Sequence, residues 1–511
     1  MLLSLAACTA PGWHPHRATP ASNPLPPVGK QLAQANMVPE LFLNRLTWGA
    51  NFSTDLQLQA VGPDRFLDQQ LRGRTAILPP AIQAQIDGMT ISRVPFDQMM
   101  RELEAQRLAA ESQKGTDDSL RKAYQQELTR LARQAASRAL LRDIYSPYQL
   151  QEQMTWFWMN HFNIHSGKHN VRAMLGDFEE HAIRPYALGN FRDLLRATVF
   201  HPAMLRYLDN EHNAANHINE NYARELLELH TMGVNSGYSQ HDVQELARIL
   251  TGVGIRIAPD HPRMRPALEK LYVRRGIFEF NPQRHDFGDK LLLGNTVHGS
   301  GLNEIEQVIT LLCRQPATAR HISRQLATYF VSDTPPEALV ERMAATFLQS
   351  DGNLQLTMHT LLSSPELLAS LGSKFKDPMH YLLSSIRLAY DGNTIVNTAP
   401  LLNWLALMGQ MPNAHQTPDG YSMLESAWSS SGQMATRFDV ANSLGHGSPA
   451  LFRTDTQPLP DKIPQPALSS APYVRHWSAK MSHTTQQALQ QTHSIADWNS
   501  LFLASPEMMR R

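Results

Sequence analysis

Apolar residues recur at spacings of three and four along most of the chain, which is the period of an amphipathic α-helix. One clear apolar face is formed by Leu120, Tyr124, Leu128 and Leu131. Strand-like alternation is confined to a short stretch, where Phe278-Glu279-Phe280 is separated by turn residues from Leu291-Leu292-Leu293. The pattern predicts a mostly α protein, a large multi-helix single unit with a small β-hairpin insertion near 272–298.

Turn and capping residues divide this helical pattern into segments. Ser364-Pro365-Glu366 and Ser505-Pro506-Glu507 each predict a helix start, with a serine cap and proline in the first turn. Thr334-Pro335-Pro336-Glu337 predicts a capping box. The predicted segments are a helical hairpin at 96–142, a motif-rich block at 156–300, a helical bundle at 301–454, a proline-rich loop at 455–480 and a C-terminal helix at 481–511.

The N-terminal residues predict a lipoprotein. Leu5-Ala6-Ala7-Cys8 resembles a lipobox, in which the cysteine becomes lipidated, but only seven residues precede Cys8. A signal peptide needs a charged start and an apolar stretch of about 7–15 residues, so either the true start lies upstream or the match is chance. Residues 8–28 contain six prolines and predict an extended tether. We therefore expect residues 1–28 to be a signal remnant and tether, and residues 29–511 to be the folded body.

Composition narrows the possible partners. Lys plus Arg and Asp plus Glu are both 46, so the chain has no basic excess that would indicate nucleic-acid binding. No apolar run reaches the roughly 18 residues of a membrane span. We expect a periplasmic or cell-envelope lipoprotein that touches a membrane only through its lipid anchor, or a secreted protein if the lipobox match is chance. The second cysteine, Cys313, lies among apolar residues and is predicted to be a buried, inert thiol.

Common catalytic motifs are absent from the sequence. There is no G-x-S-x-G elbow, no H-E-x-x-H, no P-loop and no C-x-x-C. These absences weaken the α/β-hydrolase, zinc protease and kinase interpretations without excluding an enzyme.

Polar residues of the block at 156–300 supply the candidate chemistry. A predicted helix from Glu220 to Met232 has one polar arc, formed by Glu220, Asn221, Arg224, Glu225 and Glu228. Two interpretations of this arc stay open. It is either a solvent-facing ladder of ion pairs at i, i+4 spacing, or the wall of a polar cavity shared with histidines from other segments. Nine of the 22 histidines lie within residues 161–241, which favours the cavity.

A divalent transition metal is the cofactor that such a cavity suggests, because histidine and carboxylate groups from separate helices are its usual ligands. The candidate metal ligands are His161, His285 and Glu228; the candidate catalytic residues are Glu225, Glu228, Arg224 and Asp286; the other pocket residues are Asn160, Asn219, Glu220 and Asn221. One hypothesis is metal-assisted hydrolysis or oxidation. The alternative is a non-catalytic, membrane-tethered binding or assembly protein in which the same residues form a structural network.

Several long motifs occur in a fixed order along the chain. They are Ile183-Arg184-Pro185-Tyr186-Ala187-Leu188-Gly189-Asn190-Phe191, Asn219-Glu220-Asn221-Tyr222-Ala223-Arg224-Glu225-Leu226-Leu227-Glu228-Leu229-His230-Thr231-Met232-Gly233, His285-Asp286-Phe287-Gly288-Asp289-Lys290 and Pro418-Asp419-Gly420-Tyr421. From about residue 38 to the end, the sequence resembles the bacterial family catalogued as domain of unknown function 1800. It departs from that family at Val253, where tryptophan is common, and in its extra histidines at 165 and 169. The resemblance implies an envelope or secreted setting and, as a possible partner, a sulfatase-like envelope protein encoded nearby. It implies no established reaction.

Overall fold

The computed structural model describes residues 38–73, 76–113, 118–454, 459–466 and 468–511. Cys8 and the predicted tether at 1–28 lie outside the described residues. Within the described residues, no helix has both the length and the apolar character needed to cross a bilayer.

The fold is mostly α, as predicted, with 61 % of its residues in helices and only two small sheets in the described part of the chain. The α-helices are Pro39–Leu46, Phe52–Val61, Pro63–Arg72, Pro80–Asp87, Thr90–Arg93, Phe96–Ser112, Ser119–Tyr145, Gln149–His161, Leu175–Asp177, Phe191–Val199, Pro202–Tyr207, Asn221–Glu228, Gln240–Ile249, Pro266–Glu269, Leu302–Cys313, Pro316–Phe330, Glu337–Gln349, Leu354–Leu362, Pro365–Ser370, Pro378–Ala389, Ala399–Leu407, Ser431–Gly445, Pro472–Ser478, His483–Gln490 and Ile495–Leu503. A π-helical turn covers Phe178–Ile183, and 3₁₀ turns cover Val171–Ala173, Arg184–Tyr186, Asn210–His212, Glu425–Ala427, Pro449–Phe452, Leu468–Ser470 and Pro506–Met509.

Serine and proline define several helix starts as the sequence predicts. The side chains of Ser364 and Ser505 accept hydrogen bonds from the backbone N–H groups of Leu367 and Met508. The capping box predicted at Thr334 is wrong, because the helix begins at Glu337 after Pro336 and has no side-chain cap. The N-cap position falls on Pro336, whose side chain has no hydrogen-bond acceptor, and Thr334 lies two residues too early to cap the helix.

The β insertion is present, but its predicted pairing is wrong. The strands are β1 (Val253–Ile255), β2 (Val273–Arg275), β3 (Phe278–Phe280), β4 (Lys290–Leu292) and β5 (Asn295–Val297). Strand β3 lies between β1 and β2, antiparallel to both, whereas β4 pairs with β5 in a separate antiparallel hairpin. All three residues of β3 are buried, as suits the central strand of a small sheet.

A single large hydrophobic core joins almost all of the described helices. It extends from Phe42 to Met509 and includes Cys313, which is buried as the sequence predicts. The fully buried Arg45 links distant segments in this core. Its guanidinium donates hydrogen bonds to the carbonyl oxygens of Ser370 and Arg511, both at 2.6 Å, and to that of Val331 at 3.3 Å.

Three predicted segments differ from the structure in their bounds. The predicted helix from Glu220 to Met232 ends at Glu228, because the N–H groups of Leu229 and His230 both reach the carbonyl of Glu225. The predicted C-terminal helix at 481–511 is instead two α-helices and a 3₁₀ turn, divided where Ser494 caps the second helix. The described part of the predicted loop at 455–480 contains the helix Pro472–Ser478.

Candidate functional site

Of the two structures considered for the acidic arc of the helix Asn221–Glu228, the ion-pair ladder is the one that forms. Arg224 lies 3.2 Å from Glu220 and 3.7 Å from Glu228, and all three side chains are roughly one-third exposed. Glu225 faces a more buried setting, where burial first and then the nearby Glu228 raise its pKa. The arc is therefore a surface ladder with one half-buried carboxylate beside it.

The two candidate histidine ligands lie in separate parts of the core. His161 is buried against Phe162 and near His230 and His321, and burial lowers its pKa well below the usual value. Its Nε2 donates a hydrogen bond to the carbonyl oxygen of His230 at 3.2 Å.

His285 instead belongs to a second buried network. Its Nε2 lies 2.9 Å from a carboxylate oxygen of Glu304, whose other oxygen is 2.6 Å from the Lys290 ammonium, and the side chains of all three residues are completely buried. Asp286 turns away from this network and pairs with Arg248 at 2.8 Å.

The candidate amide residues hold backbone segments together. Asn160 bonds in both directions with the backbone of Tyr421, at 2.9 Å and 2.7 Å. Asn219 accepts from the N–H of Asn221, whose side chain donates to the carbonyl of Leu208. Each amide thus satisfies backbone groups of neighbouring loops, which is a structural role.

The predicted metal set is not brought together. His161, His285 and Glu228 each have different neighbours, as given above. Among the described residues, no group of three or more His, Cys, Asp or Glu side chains is placed to hold a metal ion.

A different histidine–carboxylate arrangement lies in the same block, and the sequence analysis missed it. Asp177 ends a short helical turn, and His181 follows four residues later in the π-helical turn. The Nδ1 atom of His181 lies 2.8 Å from one oxygen of Asp177, and the Nε2 atom of His201 lies 3.0 Å from the other. One carboxylate therefore bridges two imidazoles from different elements.

Hydrogen bonding defines which ring nitrogens carry protons. His201 caps the helix Pro202–Tyr207, and its Nδ1 accepts the N–H of Ala203 at 3.1 Å, so its proton is on Nε2 and is donated to Asp177. His181 donates its Nδ1–H to the same carboxylate, which leaves its Nε2 as an available proton acceptor.

The electrostatics of this arrangement favour a basic His181. Although burial raises the pKa of Asp177, the hydrogen bonds from His181 and His201 hold it well below its usual range. The hydrogen bond to Asp177 in turn raises the pKa of His181, whose side chain is 68 % exposed and thus open to solvent and ligands.

Asp177, His181 and His201 line a pocket of about 220 Å³. The rings of Phe96, Phe200 and Phe278 form much of its apolar wall, with Ile277 beside them. Phe200 and Phe278 pack edge to face with their centroids 5.6 Å apart. Arg275, on strand β2, lines the same pocket. An apolar pocket with a few convergent polar groups is the usual form of a small-molecule site.

Only part of this site could be recognised from a pattern in the sequence. Asp177 and His181 have the i, i+4 spacing of neighbours on a helix, which was available as a pattern. The contribution of His201, and of Phe278 from the β insertion, depends on tertiary packing that no local pattern reports.

The model of the family described as "Protein of unknown function (DUF1800)" matches residues 41–510. No curated protein and no solved structure matches the chain.

Proposed function

The chain belongs to the DUF1800 family, whose description names no reaction, and we propose that it is a hydrolytic enzyme with His181 as its general base. The observation that carries this proposal is the Asp177–His181 pair at the wall of the aromatic pocket. The proposal keeps the enzyme hypothesis in the block at 156–300 but moves it to different residues. A metal-assisted version has no ligand group among the described residues on which to build.

The proposed step is the attack of water on an ester. Nε2 of His181 takes a proton from a water molecule while the water oxygen forms a bond to the carbonyl carbon of the ester. The bond between that carbon and the alkoxy oxygen then breaks, and the imidazolium returns the proton to the leaving alkoxide. Asp177 fixes the tautomer of His181 and stabilises the imidazolium, as the carboxylate of a catalytic triad does.

The pocket limits the acyl or alcohol group that the enzyme would accept. At about 220 Å³ it is smaller than the roughly 300–1,000 Å³ of sites for drug-sized ligands. Its phenylalanine walls favour one aromatic ring or a short aliphatic chain. Arg275 is the cation of the pocket wall and is suited to stabilising negative charge on the carbonyl oxygen.

The test is hydrolysis of p-nitrophenyl acetate, butyrate and phenylacetate by the wild-type protein and by His181→Gln. We expect the variant to lose at least about 100-fold in kcat/KM, the range of general-base catalysis. The wild-type rate should rise with pH through the raised pKa of His181. His298→Gln is the matched control, because His298 is also an exposed histidine whose Nδ1 pairs with an aspartate, Asp289, at 3.0 Å, and it lies outside the pocket.

Equal rates for the His181→Gln and His298→Gln proteins would overturn the proposal. If the esters bind in the pocket but none is hydrolysed, the alternative of a non-catalytic binding protein gains support. Because His181 is exposed and Asp177 keeps its hydrogen bond from His201, the His181→Gln protein should fold with only a small decrease in thermal unfolding temperature, so loss of folding does not obscure the result.

We also propose that the protein is held in the cell envelope by a lipid on Cys8. The support is the lipobox-like sequence and the proline-rich segment after it. Metabolic labelling with an alkyne fatty acid should mark the wild-type protein and not Cys8→Ser; equal labelling would refute the anchor. A sulfatase-like envelope protein encoded nearby is the proposed partner, and its absence from wild-type pull-downs would count against it.

A further inference from the structure

A second pocket lies between the first two described helices and the helix Pro472–Ser478. It has a volume of about 270 Å³ and shares no residue with the aromatic pocket described above. Its lining includes two carboxylates, Glu40 and Asp55, which are 3 % and 7 % exposed. Buried carboxylates normally have cationic or hydrogen-bonding partners, so the partners of this pair show what the pocket can accept.

The two carboxylates are not equally compensated. Glu40 lies 3.3 Å from the Lys480 ammonium and 3.6 Å from the ring of His476. Asp55 accepts a hydrogen bond from the Gln59 amide at 2.6 Å but forms no ion pair with any residue that the structure describes. Burial raises the pKa of Asp55 and the negative charge of Glu40 adds to this effect, while the Gln59 hydrogen bond and the nearby His476 and Lys480 offset only part of it. The pocket therefore contains one carboxylate that forms no ion pair with a described residue, because the Lys480 ammonium and the His476 ring lie against Glu40 instead.

An independent observation concerns Tyr473, which lines the same pocket. Its side chain is only 8 % exposed, and its hydroxyl has no hydrogen-bond partner among the described residues. Burial raises the pKa of this hydroxyl, and the negative charges of Glu40 and Asp55, which line the same pocket, raise it further. Because buried polar groups are normally hydrogen-bonded, this hydroxyl is suited to accept a hydrogen bond from a ligand that enters the pocket.

One side of the pocket is apolar and accessible to solvent. The ring of Phe52 lines it and is 51 % exposed. An exposed aromatic ring beside carboxylates suits a ligand that combines a cation with an apolar group, because the ring can pack on the apolar part and attract the cation.

We propose that this pocket binds an organic primary ammonium that carries an apolar or aromatic group. The three N–H groups of such an ammonium match three acceptors, which are the carboxylates of Asp55 and Glu40 and the hydroxyl of Tyr473. The apolar part lies against Phe52. This site is separate from the proposed hydrolytic site and does not depend on it.

The test is calorimetric titration of the full chain with 2-phenylethylammonium chloride at pH 7.5, with 2-phenylethanol as the uncharged analogue. We expect saturable binding in the millimolar range for the ammonium, which is reasonable for a ligand of this size, and none for the alcohol. Asp55→Asn should weaken binding at least about tenfold, as the loss of a charged partner does. Glu337→Gln, which removes an exposed carboxylate outside the pocket, should bind like the wild type.

Tyr473→Phe gives a second readout that does not threaten folding, since the hydroxyl has no hydrogen-bond partner within the described part of the chain. It should weaken binding by about threefold to tenfold, the loss of one hydrogen bond. The proposal is overturned if the ammonium shows no saturable binding, if the alcohol binds equally well, or if Asp55→Asn and Tyr473→Phe both bind like Glu337→Gln.

Discussion

At the scale of single residues, the protein treats its charges in two different ways. The Glu220–Arg224–Glu228 ladder lies at the surface, where water screens each ion pair. The Lys290–Glu304–His285 network is completely buried, and Glu304 also accepts the backbone N–H groups of Ser300 and Gly301. Removing one member of the buried network leaves a charge without a partner in the core.

This contrast predicts that replacing Glu304 lowers the free energy of unfolding far more than replacing Glu228. Glu304→Ala should lower the free energy of unfolding by about 3–5 kcal/mol, because Lys290 remains buried without its partner. Glu228→Ala should lower it by less than about 0.5 kcal/mol. Urea denaturation of both variants measures the difference. A loss of several kcal/mol for Glu228→Ala would mean that the ladder is a structural network after all.

Residue types were easier to identify from the sequence than their partners. His285 and Asp286 stood out in a motif, but Glu304, which binds His285, lies 19 residues further along with nothing local to mark it. The same applies to the aromatic pocket, where His201 meets Asp177 across 24 residues. Side chains that meet through tertiary packing leave no periodic pattern, so candidate residues could be identified from the sequence but their grouping could not.

At the scale of elements, helices were predictable and strand pairing was not. Apolar periodicity and serine caps are local properties, and they locate helices such as Pro365–Ser370 correctly. The pairing of β3 with β1 is set by burial of its residues against the helical body, across a gap of more than 20 residues. The turn residues between Phe278–Phe280 and Leu291–Leu293 therefore indicated the wrong partner, because they are a local signal and strand pairing is not.

The loop at Pro418-Asp419-Gly420 gives an element-scale prediction. Gly420 has φ +72°, and a Cβ atom there would lie 2.2 Å from the carbonyl oxygen of Asn160. Gly392 has a similar φ of +77°, but a Cβ atom added there would meet nothing within 4 Å. Gly392→Ala should cost only the backbone strain of about 1 kcal/mol, whereas Gly420→Ala adds a clash with backbone and should cost clearly more.

Thermal and urea unfolding of the two alanine variants measure this difference. Equal destabilisation would show that the loop moves away from Asn160 without cost, and that the contact does not hold the loop in place.

At the scale of the whole molecule, a group of buried histidines makes stability depend on pH. Burial lowers the pKa of His230 to about 3, and burial also lowers the pKa values of His161 and His321. In the unfolded chain these histidines titrate near 6.5. At pH values between the folded and unfolded pKa of these histidines, the unfolded state binds more protons than the folded state. Their contribution to the free energy of unfolding is therefore fully present above about pH 6.5 and is lost as the pH falls below it.

The free energy of unfolding should therefore be lower at pH 5 than at pH 7 by a few kcal/mol, since each histidine contributes up to about 1.4 kcal/mol per pH unit. Urea denaturation across this range provides the measurement. His230→Leu should reduce the dependence, while His298→Gln, which changes an exposed histidine, should not. A flat profile between pH 7 and pH 5 would contradict the prediction.

The buried thiol of Cys313 can report local unfolding of the helices around it. Its side chain is 8 % exposed, and burial raises its pKa, so the thiolate that reacts with maleimides hardly forms in the folded state. In a chain with Cys8→Ser, Cys313 is the remaining cysteine, and its rate of alkylation measures how often the surrounding helices separate. A ligand of either pocket that stabilises the folded state should slow this alkylation, so ligands could be ranked by the decrease in rate without any enzymatic assay.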